Sequence, residues 1–378
     1  MNRALLAASG IEAFFLLMLM GYGPLYLHQQ FRVPDVVASL GAAGPSLATF
    51  VGSTIWGHRL RHIGIGRVAR IGFIAYLGTG LVAVFAPSAT LYIVGVTLTT
   101  LLSSALAPAT LTFLTYKGGS MGGRLASRLK WQSSGWMIGG LIGGYIQSLS
   151  PRALPLLLMG LGFLMLVPFV LGRQAEDVAR IEDDGTAKDV PSHLGLIILL
   201  VLPFFLAYAG NEGFFTNFGL YLHGVHVPTA WVGWSASIST GLGWILASSI
   251  GRWSDRFGGQ QLLIGVLLGY TSIYLIMSLV ANEVVVIVAF SLPLYPLLNI
   301  GMQRAAAGSL PGHRHGAAMG IINGAAGLAT FGGSVIMGTV TTLWGPHGMP
   351  WAAAGFVALG LGVAQLIYRH PAGVGSIG

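Results

Sequence analysis

Stretches of about 20 apolar residues alternate along this chain with short polar breaks, and a single break is long. Twelve such runs are legible, near residues 4–27, 36–56, 68–86, 90–115, 129–149, 153–172, 195–222, 229–250, 260–280, 284–304, 317–341 and 350–369. A helix rises ~1.5 Å per residue, so each run suffices to cross a ~30 Å hydrocarbon core. The pattern predicts an all-α polytopic membrane protein with twelve transmembrane helices. The first run is longer than the apolar centre of a signal peptide and lacks a small-residue cleavage site, so it is expected to remain as the first span.

The long break, Arg173 to His193, contains six acids and three basic residues and divides the runs six and six. It predicts two six-helix bundles, residues 1–172 and 194–378, joined by a linker over 173–193. With both termini placed in the cytoplasm, 17 of the 19 Lys and Arg residues fall on the inner side, and only Arg32 and Arg152 fall outside. That asymmetry predicts the orientation, because positive charge is retained on the cytoplasmic side. The expected location is the inner (cytoplasmic) membrane of a bacterium.

Composition excludes several classes. Charged residues make up 8% of the chain, against about 25% in soluble domains. The net charge of +8 is spread over alternate breaks with no basic domain, so nucleic acid is not an expected partner. Cysteine is absent, which removes disulfides and thiolate chemistry. None of the twelve runs contains a His-x-x-x-His pair, since His58 and His62 fall in the break after the second, and His313 and His315 share a loop without a carboxylate. There is no phosphate-binding loop and no Asp-rich diphosphate motif. No metal, cofactor or enzymatic activity is expected; the expected partners are a small-molecule substrate, protons and the lipid bilayer, with the chain a monomer.

Only two acids lie within apolar runs. Glu12 sits in Ser9-Gly10-Ile11-Glu12-Ala13-Phe14-Phe15, and Glu212 in Ala209-Gly210-Asn211-Glu212-Gly213-Phe214-Phe215. A carboxylate in hydrocarbon is costly and marks a functional site by default. Either could take a proton when its cavity opens to one side and release it on the other; the competing role is a protonated interhelical hydrogen bond. Leu25-Tyr26-Leu27-His28 recurs as Leu220-Tyr221-Leu222-His223, each followed by Val-Pro, so the first and seventh helices are counterparts. The two glutamates are 200 residues apart and the repeats 195, a difference of five residues. Five residues are about 7.5 Å of helix, so the two acids need not share a depth.

Polar side chains cluster beside these acids. Tyr208, Glu212 and Thr216 share a helical face, flanked by Asn211, Asn217 and Tyr221. Ser291, Tyr295, Asn299 and Gln303 form a stripe in the tenth run, with Pro293 and Pro296 available to kink it. Such stripes face neighbouring helices or a cavity. Thr100, Ser103 and Ser104 precede Pro108 and are a weaker counterpart, while Tyr22, Tyr26, Trp136 and Trp234 are candidate aromatic walls. Lys130 and Arg304 are expected at the interface.

Gly251-Arg252-Trp253-Ser254-Asp255-Arg256-Phe257-Gly258, after the eighth run, resembles the cytoplasmic loop signature of the major facilitator superfamily. Its counterpart after the second run keeps Gly57, Gly64 and Arg67 but has Arg61 where the family has aspartate. Ser134-Gly135-Trp136-Met137-Ile138-Gly139-Gly140-Leu141-Ile142-Gly143-Gly144 is similar to the glycine-rich fifth helix of exporters in that family, without its usual proline. The resemblance implies two bundles that rock about a central cavity, with Asp255 and Arg256 latching helix ends. It implies a secondary transporter, and the two acids favour proton-coupled export of small amphipathic compounds. Proton symport of a neutral sugar or nucleoside is the alternative. Lipid translocation, or a non-transporting receptor on the same fold, comes after it.

Overall fold

The computed structural model describes residues 2–110, 121–167, 194–228, 230–280, 282–308 and 315–369, and every element among them is helical. The expected linker over 173–193 lies outside the described residues. Helix α1 (Asn2–Leu16) passes through a π-helical turn (Leu17–Gly21) into α2 (Tyr22–Phe31). Pro24 explains the turn: it has no N–H to donate and its ring crowds the carbonyl four residues back, which a widened turn relieves. Then follow α3 (Asp35–Ile63), α4 (Ile65–Phe85), α5 (Ala89–Ser103), α6 (Met121–Leu149) and α7 (Ala153–Leu164). The remainder comprises α8 (Leu194–Gly224), α9 (Ala230–Leu279), α10 (Glu283–Phe290), α11 (Leu294–Gly308), α12 (His315–Trp344) and α13 (Gly348–Arg369).

Among the described residues eight helical segments are long and apolar enough to cross a membrane, from Leu6–Phe31 to Gly348–Ile367. Phe85, Ile245, Leu279, Leu343 and Leu366 are among the large apolar side chains left exposed, as lipid-facing positions require. The chain is an integral, multi-pass membrane protein.

The polar breaks are narrower than the sequence suggests. Helix α3 continues through Gly57 and Arg61 to Ile63, and α9 runs through Gly251 and Asp255 as a helix. Single glycines make the turns: Gly64 at φ 91° and Gly258 at φ 79°. Both pair that φ with ψ near 150° (146° and 160°), a region essentially reserved for glycine. These glycines occupy equivalent places in the two related loop sequences. A Cβ at either would meet open space, so the penalty of alanine is purely backbone strain. Gly64→Ala and Gly258→Ala are each expected to cost about 1–3 kcal/mol, read as a fall in the thermal midpoint of the purified protein, whereas Gly57→Ala, also in open space but helical, is expected to be neutral or stabilising.

The tenth run is not one helix. Helix α10 ends at Phe290, and Pro293 precedes the new start at Leu294. Ser291 therefore departs from the stripe, donating to the Ile287 carbonyl instead (2.7 Å). Tyr295 and Asn299 remain one turn apart on α11, where Asn299 donates to the Tyr295 carbonyl (3.1 Å).

Small residues set the packing. On α6, Gly135, Gly139 and Gly143 lie against Gly10, Phe14 and Met18 of the first helix, while Gly140 and Gly144 lie against Gly233 and Ala230 of α9. The glycine-rich helix thus serves two neighbours with two faces. Helix α8 packs on α12 through Gly213 and Gly333, and on α13 through Gly210 and Ala353. Helix α3 meets α12 where the Val36 N–H donates to Thr342 Oγ1 (3.1 Å) and where Gly338 faces Ser39.

The two Leu-Tyr-Leu-His segments meet at the same end of the molecule. The His28 and His223 rings make an edge contact at 5.6 Å, and His28 Nδ1 lies 2.8 Å from Asp35 Oδ1. Nearby, Gln147 donates to Gln29 (3.1 Å) and Gly219 rests on Leu25. This end is sealed.

Candidate functional site

The two intramembrane glutamates occupy different surroundings. Glu12, on α1, is 4% exposed. Tyr76 of α4 donates its hydroxyl hydrogen to Glu12 Oε1 (3.1 Å), and Ser103 of α5 is within hydrogen-bond reach of that hydroxyl. The Phe15 ring meets Tyr76 edge-on at 4.9 Å, closing the apolar side. Arg128, in the first part of α6, acts electrostatically on both Glu12 and Tyr76. Four helices thus surround one carboxylate with a donor and a cation. Tyr76→Phe is expected to leave the buried Glu12 Oε1 without its donor and cost about 1–3 kcal/mol, read as a lower thermal midpoint; Tyr145→Phe, at an exposed ring, is the control.

Glu212, on α8, keeps accessible surface although protein atoms surround it closely. Its polar neighbours are neutral: Asn211 donates to Glu212 Oε1 (3.3 Å), and the hydroxyl of Tyr274 donates to Asn211 Oδ1 (3.0 Å). Tyr208, Tyr270, Tyr274 and Tyr295 all interact electrostatically with the carboxylate. The Tyr208 and Tyr295 hydroxyls share a hydrogen bond (2.8 Å), and Tyr295 is 41% exposed. Trp136 of α6 faces Phe215 of α8 at 6.1 Å, and both are partly exposed.

The remaining candidates divide clearly. Tyr22 is fully buried, with its hydroxyl directed at the Gly140 carbonyl (3.5 Å). Tyr26 packs on Tyr92 and Phe31. Asn217 donates to the carbonyls of Gly213 and Ser334, and Thr216 shares a hydrogen bond with Ser334. Tyr221 stacks on Phe218. These groups join helices. Trp234 is exposed beside Trp231, and Lys130 is exposed on α6. Arg67 and Arg256 are exposed, Arg256 lying over the Phe257 ring at 5.5 Å. The side chains of Gln303, Asp255 and Arg61 lie outside the described residues.

Sequence reasoning counted Arg128 among the cytoplasmic arginines and did not single out Tyr76, Tyr270 or Tyr274. For Arg128 a signal existed. It precedes Gly135 by seven residues, on the stripe Arg128, Gly135, Gly139, Gly143 that packs against the helix bearing Glu12. Among the described residues no group of three potential metal ligands is assembled.

The sequence model of the Major Facilitator Superfamily matches residues 5–302. No curated protein sequence matches significantly. Solved structures share the fold: a peptide transporter, POT, in complex with sulfate aligns with a TM-score of 0.79 at 13% identity, over 99% of this chain and 94% of that one. A nucleoside transporter, NupG, aligns at 0.77 and 14% identity, over 97% and 99%. A bacterial homologue of the human lysosomal transporter Spinster, in an inward-facing and occupied conformation, aligns at 0.74 and 13%, over 97% and 96%. At such identities the likeness is one of fold.

Proposed function

This chain belongs to the Major Facilitator Superfamily, and from that premise we propose that it is a secondary active transporter that exports small amphipathic compounds in exchange for protons. Residues 1–172 and 194–378 form the two six-helix bundles of twelve spans, with the linker 173–193 and both termini in the cytoplasm. The bundles rock about a cavity near the membrane midplane. The positive-inside orientation puts the His28–His223 end, where the halves meet, outside, which supports a conformer whose cavity opens to the cytoplasm.

The observation that carries the reading is Glu12. An ionisable acid enclosed among four helices, with Tyr76 as donor and Arg128 as cation, has two discrete arrangements available, protonated and ionised. Rocking the bundles changes its access to water while Tyr76 and Arg128 move with it in the same bundle, which supports coupling. The pairing of Trp136 with Phe215 also favours export of amphipathic compounds over uptake of neutral ones. Trp136 and Phe215 offer apolar walls, while Asn211 and Asn217 spend hydrogen bonds within the protein.

The test is proteoliposomes with an acidic lumen and an internal pH dye, challenged with aromatic amphiphiles, sugars and nucleosides. Proton efflux on adding an amphiphile supports exchange. Proton movement in the same direction as a sugar or nucleoside would replace export with symport, and a flat trace for every compound would remove proton coupling.

A further inference from the structure

We propose that His28 and His223 form a two-imidazole site for a divalent transition-metal ion, zinc being the test case, and that the bound ion joins α2 to α8. The proposal does not depend on proton exchange or on what the chain transports. It concerns a clamp where the two Leu-Tyr-Leu-His segments meet.

Three helices build the site. His28 lies in the last turn of α2, Asp35 opens α3, and His223 lies in the last turn of α8. His28 Nδ1 is 2.8 Å from Asp35 Oδ1. That nitrogen is buried although the His28 side chain is 34% exposed, which leaves the opposite edge of the ring, with Nε2, to solvent. A neutral imidazole that donates from Nδ1 keeps its lone pair on Nε2. Metal-ligating histidines are held in the same way, with a carboxylate on one nitrogen fixing the tautomer and the ring orientation while the other nitrogen binds the ion.

The second imidazole stands at a matching distance. The His28 and His223 ring centres are 5.6 Å apart, with the rings at 67°. A zinc–imidazole bond of about 2.0–2.1 Å puts each ring centre about 3.2 Å from a bound ion. Rings 5.6 Å apart then subtend roughly 120° at that ion, near the tetrahedral angle of zinc sites. His223 is exposed, so its ring has room to turn a nitrogen toward the ion. Water fills the remaining positions. His226, on the turn after α8, acts on His223 electrostatically but completes no three-ligand group.

Each half supplies one imidazole. The two come from the two occurrences of one repeated segment, so the site exists only while those ends are together. An ion that binds this conformer, and not one with the ends apart, stabilises it by mass action.

The experiment uses the full chain in lipid nanodiscs, with any purification tag removed, and zinc chloride titrated against a fluorescent zinc chelator. Empty discs are the blank. The expected result is saturable zinc binding and a thermal midpoint that rises with zinc but not with magnesium chloride, a hard cation that imidazole suits poorly. Losing a ligand costs at least as much as losing its orienting partner, so His28→Gln and His223→Gln are each expected to weaken zinc binding at least about tenfold. Asp35→Asn is expected to weaken it about 10- to 100-fold. An unchanged elution profile on size exclusion shows that each variant is folded.

The proposal is overturned if zinc binds the loaded discs no better than empty ones, or if neither histidine variant weakens binding. It is also overturned if only one variant does, which would place the ion within a single half. Full affinity in Asp35→Asn would refute the orienting role of Asp35. The liposome measurement separates the clamp from the transport reading. Zinc binding here with a flat pH trace for every compound would sink the exchanger and leave the clamp. Proton-coupled flux in a chain that binds no zinc would sink the clamp and leave the exchanger.

Discussion

Gly233→Val is expected to abolish transport and to empty the conformer described above. A Cβ at Gly233 would fall on the carbonyl oxygen of Gly140 and the hydroxyl of Tyr22, and one at Gly140 would meet Ser237 and the Gly233 carbonyl. These obstacles are largely backbone, so no rotamer change relieves them. Overpacking of this kind costs about 1–3 kcal/mol, which shifts a two-state equilibrium by roughly 5- to 150-fold. The cost applies only while α6 and α9 are in contact, so the population moves to a state in which they separate.

The absence of native cysteine makes this measurable, since an introduced Val36→Cys/Thr342→Cys pair is the sole thiol pair. These positions adjoin at the His28–His223 end. Crosslinking by a short bifunctional thiol reagent is expected to be efficient in the parent and sharply reduced with Gly233→Val. Gly160→Val, where an added Cβ meets nothing within 4 Å, is the control. Unchanged crosslinking and unchanged flux in the Gly233 variant would refute the role given to this contact.

Glu12→Gln is expected to reduce proton-driven flux to background while leaving the protein folded. The amide can still accept from Tyr76, so the hydrogen bond at 3.1 Å has a substitute. What disappears is the group that changes charge, and Arg128 is left as a cation among apolar helices. That residual charge destabilises. The double variant Glu12→Gln/Arg128→Met is therefore expected to recover part of the lost thermal stability, with a coupling energy of about 0.5–3 kcal/mol, and to recover none of the flux. Strict additivity of the two stability losses would show that Arg128 does not act on Glu12. Full proton-driven flux in Glu12→Gln would move the coupling role to Glu212.

Glu12 and Glu212 were legible as candidates because each interrupts an otherwise apolar run, and a single charge in such a run stands out without knowledge of the fold. Gly258 was legible for a similar reason, as a glycine ending a motif that needs a turn. The tyrosines around Glu212 were legible only in part. Tyr208 lies one turn away on the same helix, so its neighbourhood is local, while Tyr270 and Tyr274 reach Glu212 from α9. Nothing local distinguishes them from tyrosines that pack against lipid.

By itself the sequence determined that this is a helical membrane protein, which acids interrupt its apolar runs and which glycines turn the chain. Each of these follows from the length of apolar runs and from backbone chemistry, properties of adjacent residues. Tertiary structure alone decided that Arg128 answers Glu12 while neutral groups ring Glu212, that Asn217 and Tyr22 join helices, and that the glycines of α6 face two ways. Those outcomes depend on which helix faces meet, and in a bilayer close packing and buried polar partners decide that between segments far apart in the chain.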